Sequence, residues 1–240
     1  MLFIITVSLF LLMVKLGFWQ LSRAVEKEEW QDQLTARQAA APLTYSDLLS
    51  LPTAEPLTGY RMTVTAHPVE NKVFILDNQT FKGKVGYLAL QLFEVSPDTP
   101  WLLVELGFVP AGPDRAKLPD IPHVTEAQSF TGRLYQKQSN PMSSSLMAET
   151  GWPSRIQNLN IVEISQLVNH TIASAVLQPE QISGIDLPHP WRPIPLGAHK
   201  HRGYALQWFS MAFALAVLVL FFIYGQKRKR EQTDNSPTEN

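Results

Sequence analysis

The chain has 240 residues, a formal net charge of −1 at pH 7 and no cysteine. This length accommodates one domain of moderate size together with membrane anchors. The charge argues against a nucleic-acid-binding protein, which would carry a basic face. The lack of cysteine excludes disulfides, a thiolate nucleophile and cysteine-based zinc, iron–sulfur or copper sites.

The chain begins with a hydrophobic stretch, residues 1–22, which we predict to be a first transmembrane helix. A cleaved signal peptide is the alternative, but no basic segment precedes the apolar run, no Ala-x-Ala-like site follows it, and the run is long for such a peptide. Lys15 lies within the stretch and either reaches the interface or faces a second span. Residues 23–41 contain no Gly or Pro, which predicts that the helix continues outside the membrane as a stalk.

Residues 42–200 are predicted to form one extracytoplasmic, β-rich domain. Apolar and polar residues alternate over residues 60–66, which is typical of a half-buried strand. Further strands are predicted at residues 72–77, 87–95, 101–109 and 130–135. Short strands joined by tight turns favour a mostly antiparallel sheet, folded as a sandwich or a small barrel.

The second half of this domain is harder to interpret. Residues 136–145 are polar and are predicted to be a loop. Residues 156–168 are ambiguous and fit a strand followed by a short helix, with Asn160 or Ser165 as its cap. Residues 171–177 are a candidate closing strand, and a proline-rich connection then leads to the second apolar stretch.

Residues 201–225 are predicted to be the second transmembrane helix. No charged residue occurs at 204–224, and about 21 residues at 1.5 Å each span the roughly 30 Å hydrocarbon core. The tail, residues 226–240, opens with a basic cluster that marks the cytoplasmic side and ends in a polar segment predicted to be disordered. Both termini are therefore predicted to be cytoplasmic and the central domain periplasmic. No Arg- and Ser-rich transit peptide precedes the first span, which favours a bacterial plasma membrane.

These patterns predict a membrane α+β protein in which two transmembrane helices bracket one mostly antiparallel β domain. No enzyme is expected, because the sequence lacks a dinucleotide-binding glycine loop, a phosphate-binding loop, a zinc-protease motif and a nucleophile elbow. Of the histidines, only His199 and His201 are close in sequence. Alternate positions on a helix point apart, which argues against a copper site there.

His201, Tyr204 and Trp208 share one helical face at the outer end of the second span. A neutral imidazole in this position can ligate a haem iron. Basic residues at similar depth would bind the haem propionates, and tryptophans would flank the ring. These residues are Lys200, Arg202, Arg23, Trp19 and Trp208. The alternative is that they only anchor the helix end at the interface.

Five segments, in order along the chain, resemble the Surfeit-locus family of cytochrome c oxidase assembly factors. They are GFWQLSR at 17–23, YRMTV at 60–64, KGKVGY at 82–87, LVELGFVP at 103–110 and HRGYALQWF at 201–209. The resemblance implies a role in placing haem a in subunit I of a haem–copper oxidase, together with other assembly factors. It also implies that haem a binds transiently, with His201 as its axial ligand. The candidate cofactor-binding residues are then His201, Tyr204, Gln207, Trp208, Trp19 and Arg23.

One segment departs from the family pattern. Glu105, Leu106, Gly107 and Phe108 stand where the family usually has Asn-Arg-Gly-Trp. If that arginine contacts a partner or a haem propionate, this chain lacks the contact. Gly107 and Pro110 are expected to keep the turn, and Phe108 keeps the aromatic bulk.

Three hypotheses follow from the sequence. The first is a non-catalytic carrier that passes haem a to an oxidase subunit. The second is a cofactor-free membrane scaffold that binds oxidase subunits during assembly. The third is an anchored enzyme, for which the sequence offers no candidate nucleophile or base.

Overall fold

The computed structural model describes residues 2–52, 55–115, 117–136, 144–190 and 197–234. Its elements in chain order are helices α1 (Leu2–Ala39) and α2 (Tyr45–Ser50), strands β1 (Arg61–Phe81), β2 (Lys84–Glu94), β3 (Trp101–Pro110), β4 (Gln128–Tyr135) and β5 (Ser154–Ile156), helix α3 (Ile161–Val168), strand β6 (Ile172–Pro179) and helix α4 (Ala198–Asp234). They divide into a first unit, Met1–Asp32 with Ile194–Asn240, and a second unit, Gln33–Pro193.

Five strands of the second unit form a closed barrel. β1 pairs with β2, β2 with β3, β3 with β6, β6 with β4, and β4 returns to β1. β5 adds to β1 on the outside of this ring. Only the β3–β6 and β1–β5 pairings are parallel among these described strands. The prediction of a mostly antiparallel sheet is therefore confirmed, and of the two architectures expected the small barrel is the one observed.

The barrel has an inner and an outer apolar layer. The inner layer takes residues from all five barrel strands, among them Met62, Phe93 and Leu177, each with no exposed surface. The outer layer lies against α3 and β5, where Phe74, Leu90 and other buried residues of the strands pack on Ile156 and Ile164. Because these strands are buried on both faces, their sequences are nearly continuous apolar runs.

One long strand, β1, replaces the two strands predicted at residues 60–66 and 72–77. Its register against β2 shifts between Pro68 and Val73, and Asn71 has a φ of 55°. The polar residues between the two apolar runs are thus a bulge that bends the strand and not a turn that ends it. The first half of β1 pairs with β4, and the second half pairs with β2 and β5.

Two short helices flank the barrel. α2, which the sequence analysis did not predict, begins with a capping box in which Thr44 and Asp47 each accept a hydrogen bond from the other's backbone N–H. Its Tyr45 and Leu48 are buried in the inner layer. α3 confirms the short helix suggested within residues 156–168. Asn160 is its N-cap, accepting from the Glu163 N–H at 3.2 Å.

The two long helices are apolar enough to cross a membrane, which indicates a membrane protein. α1 is one continuous helix that ends at Ala39, as the lack of Gly and Pro predicted, and Lys15 is exposed on it. α4 continues past the basic cluster to Asp234, whereas the sequence analysis predicted disorder there. The reason is that residues 226–234 hold no Gly or Pro. Most of the polar loop predicted at 136–145 and part of the proline-rich connection, residues 137–143 and 191–196, lie outside the described residues.

Candidate functional site

The first unit consists of α1, up to Asp32, and α4, which run in opposite directions. Near the beginning of α1, Phe3 lines the same groove as Leu220 of α4. Further along α1, the Phe18 ring packs edge-on against the Phe209 ring, with centroids 5.3 Å apart. Later residues of α1 therefore contact earlier residues of α4. The two helices form an antiparallel pair.

Small residues bring the two helices close together. A Cβ atom on Gly17 would lie 2.6 Å from the Phe209 ring. On α4, Ala205 and Ala212 are 1% and 3% exposed. Small residues allow helix backbones to approach closely in a membrane, where apolar side chains gain little from contact with each other.

His201 contacts α1 through one hydrogen bond, in which its Nδ1 lies 2.8 Å from Oε1 of Gln20. With the Gln20 amide oxygen as the acceptor, a neutral imidazole donates from Nδ1 and leaves its lone pair on Nε2. This is the tautomer that metal-ligating histidines adopt when a carbonyl or carboxylate holds their other ring nitrogen. The ring is half-buried, and among the described residues none forms a hydrogen bond with Nε2.

The other predicted site residues of α4 lie to one side of His201. Successive residues of a helix are about 100° apart. Measured around the α4 axis from His201, this step places Trp208 at about 20°, Tyr204 at about 60° and Gln207 at about 120°, all in the same direction. Tyr204 is 44% exposed. Trp208 is half-buried, and Gln207 is exposed. These side chains border a surface that is open rather than enclosed.

On α1, Trp19 and Arg23 form one group. The Arg23 guanidinium lies 5.9 Å from the centroid of the Trp19 ring, and both side chains are exposed. In an antiparallel pair joined at Gln20 and His201, the helical step places this group on the side of the pair that also carries Tyr204. By this step Arg23, Tyr204 and Trp208 lie on one flank of the pair, within about 60° of the contact, whereas Trp19 and Gln207 lie about 100° and 120° from it and turn toward the outer faces.

The basic residues near His201 are already engaged with carboxylates of α1. Arg202 lies 2.7 Å from Glu28, and Arg23 lies 2.5 Å from Glu26. All four side chains are substantially exposed, so each pair contributes little and can exchange partners. Lys200 is exposed as well.

Gln20 is the residue that the sequence analysis did not single out. It lies in the GFWQLSR segment, but no role was assigned to it because its partner is 181 positions away. The available signal was weak: a polar amide between apolar side chains, close to the end of the first hydrophobic stretch.

Glu105, at the departure from the family pattern, does not lie on the surface. The turn expected at Gly107 and Pro110 is wrong, because β3 runs on to Pro110 and Gly107, with a φ of 124°, lies at an irregularity of its pairing with β2. Glu105 has no exposed area, and it accepts hydrogen bonds from the Tyr135 hydroxyl at 2.7 Å and from the Gln178 amide at 2.8 Å. Burial, reinforced by the charge of Glu105 and the hydrogen bond to it, raises the pKa of Tyr135 well above its usual range. The carboxylate is therefore part of an internal network of the barrel wall.

Comparisons with known proteins cover nearly the whole chain. A sequence model of the SURF1 family matches residues 7–213. A SURF1-like protein from Rickettsia felis is 24% identical over 226 residues, which cover 90% of this chain and 92% of that protein. The matched residues begin inside α1, contain the barrel and end inside α4, so they include both Gln20 and His201.

Proposed function

Because the chain belongs to the SURF1 family, we propose that it is an assembly factor for a haem–copper terminal oxidase and that it carries haem a on His201. Family membership supports the role in oxidase assembly. The observation that carries the haem assignment is the hydrogen bond from His201 Nδ1 to Gln20, which leaves Nε2 as a lone-pair donor.

In this proposal haem a is cargo, and the helix pair holds it without chemical change. His201 supplies the single strong axial ligand through Nε2. Tyr204 and Trp208 flank the ring from α4, and Gln207 lies beside them. Trp19 flanks it from α1, while Arg23 exchanges its exposed carboxylate partner for a propionate. One strong ligand and an open side favour release to the oxidase subunit.

We propose a bacterial plasma membrane as the location, with both termini cytoplasmic and the barrel periplasmic. The basic cluster that begins at Lys227 follows the apolar part of α4 directly, which supports this orientation. His201 then lies at the periplasmic end of α4. The partners would be subunit I of the oxidase, other assembly factors and the lipid bilayer, with no nucleic acid and no reaction of the chain's own.

The test is to purify the full chain in detergent from a host that makes haem a and to record its absorption spectrum. We expect a Soret band in the unaltered protein and at least a tenfold lower haem content in His201→Ala, since the axial bond is lost. His199→Ala is the matched control, because His199 is an exposed histidine on the same helix, and it should keep full haem content.

Two results would contradict the haem assignment. Full haem content in His201→Ala would remove His201 as the ligand. A chain that co-purifies with the oxidase but shows no Soret band in any host would instead support the cofactor-free scaffold.

A further inference from the structure

The barrel wall contains a polar network whose centre is Glu105. This carboxylate has no exposed surface and lies within 2.8 Å of three donors: Tyr135 Oη, Gln178 Nε2 and His189 Nδ1. Leaving an ionised carboxylate buried without partners costs several kcal/mol, whereas an apolar replacement of such a group is often neutral. The three donors therefore hold the carboxylate, and the groups bound to it, in fixed positions.

The network extends outward to the surface. His189, which is held by Glu105, has 21% of its side chain exposed. Gln178 donates to Glu105 and accepts from the Arg133 Nε at 2.5 Å. The buried carboxylate thus fixes the imidazole directly and the guanidinium through one amide.

These fixed groups line a pocket of about 440 Å³ on the second unit. Arg61, Arg133 and His189 border it together with Gln178, and Glu180 is the carboxylate that borders it. The ion pair between Arg61 and Glu180, at 3.3 Å, leaves both side chains exposed, by 39% and 61%. Such a pair is weak and can open for a better ligand.

We propose that this pocket binds a small molecule that carries carboxylate or phosphate oxygens. Guanidinium groups match such oxygens in a bidentate geometry, and the lining holds two of them with an imidazole against one carboxylate. A concave site of this size with a few fixed polar groups is typical of small-molecule binding. Arg61 and Arg133 contact the anion, His189 supplies the third polar contact, and Glu105 is a positioning residue.

This proposal is independent of haem binding. The pocket lies within the second unit, and none of the residues assigned to haem a borders it. Loss of haem in a His201 variant therefore leaves the anion site untouched, and failure of the anion site leaves the carrier hypothesis unchanged.

The experiment is a calorimetric titration of the purified full chain with succinate and, separately, with inorganic phosphate, both at constant ionic strength. We expect saturable binding of at least one anion, and the one that binds identifies the ligand class. Arg61→Gln should weaken that binding by about tenfold, because a hydrogen bond between two charged groups is lost. Arg155→Gln is the matched control, since Arg155 is paired with Glu149 and does not border the pocket.

Glu105→Gln tests the positioning role. It should weaken anion binding although Glu105 does not border the pocket, and circular dichroism identifies whether the barrel remains folded. Glu105→Gln removes a buried charge and can therefore also affect folding. The decisive variant is Arg61→Gln, because the Arg61 side chain is partly exposed and its loss leaves the core of the barrel unchanged. The proposal is overturned if neither anion binds saturably, or if Arg61→Gln binds as tightly as the unaltered chain, or if Arg155→Gln loses binding equally.

Discussion

At the scale of single residues, the hydrogen bond between Gln20 and His201 decides which imidazole nitrogen is available to a ligand. If position 20 offered no acceptor, the proton could move from Nδ1 to Nε2. The lone pair would then lie on Nδ1, facing α1, and Nε2 could not bind a metal. The position of His201 could be predicted from sequence spacing and from the resemblance of residues 201–209 to the family. Its partner could not, because a contact between residues 20 and 201 has no local signal.

Replacing Gln20 with leucine should reduce the affinity for haem by about tenfold to a hundredfold, the usual effect of losing a residue that orients a metal ligand. Gln20→Glu keeps an oxygen acceptor at this position and should retain most of the affinity. Haem titration followed by absorbance in detergent measures both. Equal losses in the two variants would show that the acceptor does not matter.

Two buried tyrosines of the second unit predict how its stability depends on pH. Burial raises the pKa of Tyr45 to about 12, and burial together with the charge of Glu105 raises the pKa of Tyr135 well above its usual range. Both hydroxyls ionise more readily in the unfolded chain, near pH 10. Their contribution to stability is therefore complete below about pH 10 and is lost as pH rises toward the folded-state pKa values.

Tyr135→Phe should lower the free energy of unfolding at neutral pH by about 1–3 kcal/mol, because Glu105 loses a buried donor. It should also make the fall of stability above pH 10 shallower. Thermal unfolding followed by near-ultraviolet circular dichroism measures both effects. Tyr60→Phe is the control, since its hydroxyl makes a longer bond, of 3.3 Å, to Glu55. An unchanged alkaline slope in Tyr135→Phe would contradict the assignment.

At the scale of elements, the sequence predicted the long helices and the approximate positions of the barrel strands. It missed α2, although Thr44 and Asp47 form a capping box, because a helix of six residues shows no usable periodicity. It also divided β1 in two. The polar residues near Pro68 resemble a turn, and whether the chain turns or only bends depends on β4 and β2, which are distant in sequence.

The packing of α1 on α4 depends on Gly17. Gly17→Leu should weaken the pairing of the two helices as a whole, because a side chain there meets the Phe209 ring, and overpacking typically costs about 1–3 kcal/mol. Adding Phe209→Ala removes the obstructing ring and should restore the contact. The readout is cross-linking between cysteines placed at positions 3 and 220, which line the same groove.

Cross-linking is specific here because the chain has no cysteine of its own. Mass spectrometry of the linked peptides then compares the yields. We expect a high yield in the parent, a low yield in Gly17→Leu and recovery in the double variant. A high yield in Gly17→Leu alone would show that the close approach at Gly17 is dispensable.

At the scale of the whole molecule, closure of the barrel is the feature that local patterns could not predict. It depends on β6 inserting between β3 and β4, with parallel pairing of Trp101 and Ile172 on one side. Apolar runs indicate that these strands are buried on both faces, but they do not specify neighbours. The position of Glu105 inside a network likewise follows only from the closed barrel.

The proposed orientation predicts different exposure of the barrel unit and of the last part of α4. In intact cells with a permeable outer envelope, a membrane-impermeant maleimide should label a cysteine at Glu126, an exposed position of the barrel unit, and should not label one at Lys227. Labelling of both sites after detergent lysis is the control. Labelling at position 227 but not at 126 in intact cells would reverse the orientation.

The central claim is that His201 holds haem a through its ring nitrogen. The most direct measurement is chemical rescue of His201→Gly, purified from a haem a-producing host and titrated with free haem a in the presence and absence of imidazole. We predict that the variant alone forms no stable complex and that added imidazole restores the Soret band of the unaltered protein. A variant that binds haem a equally well without imidazole would contradict the claim.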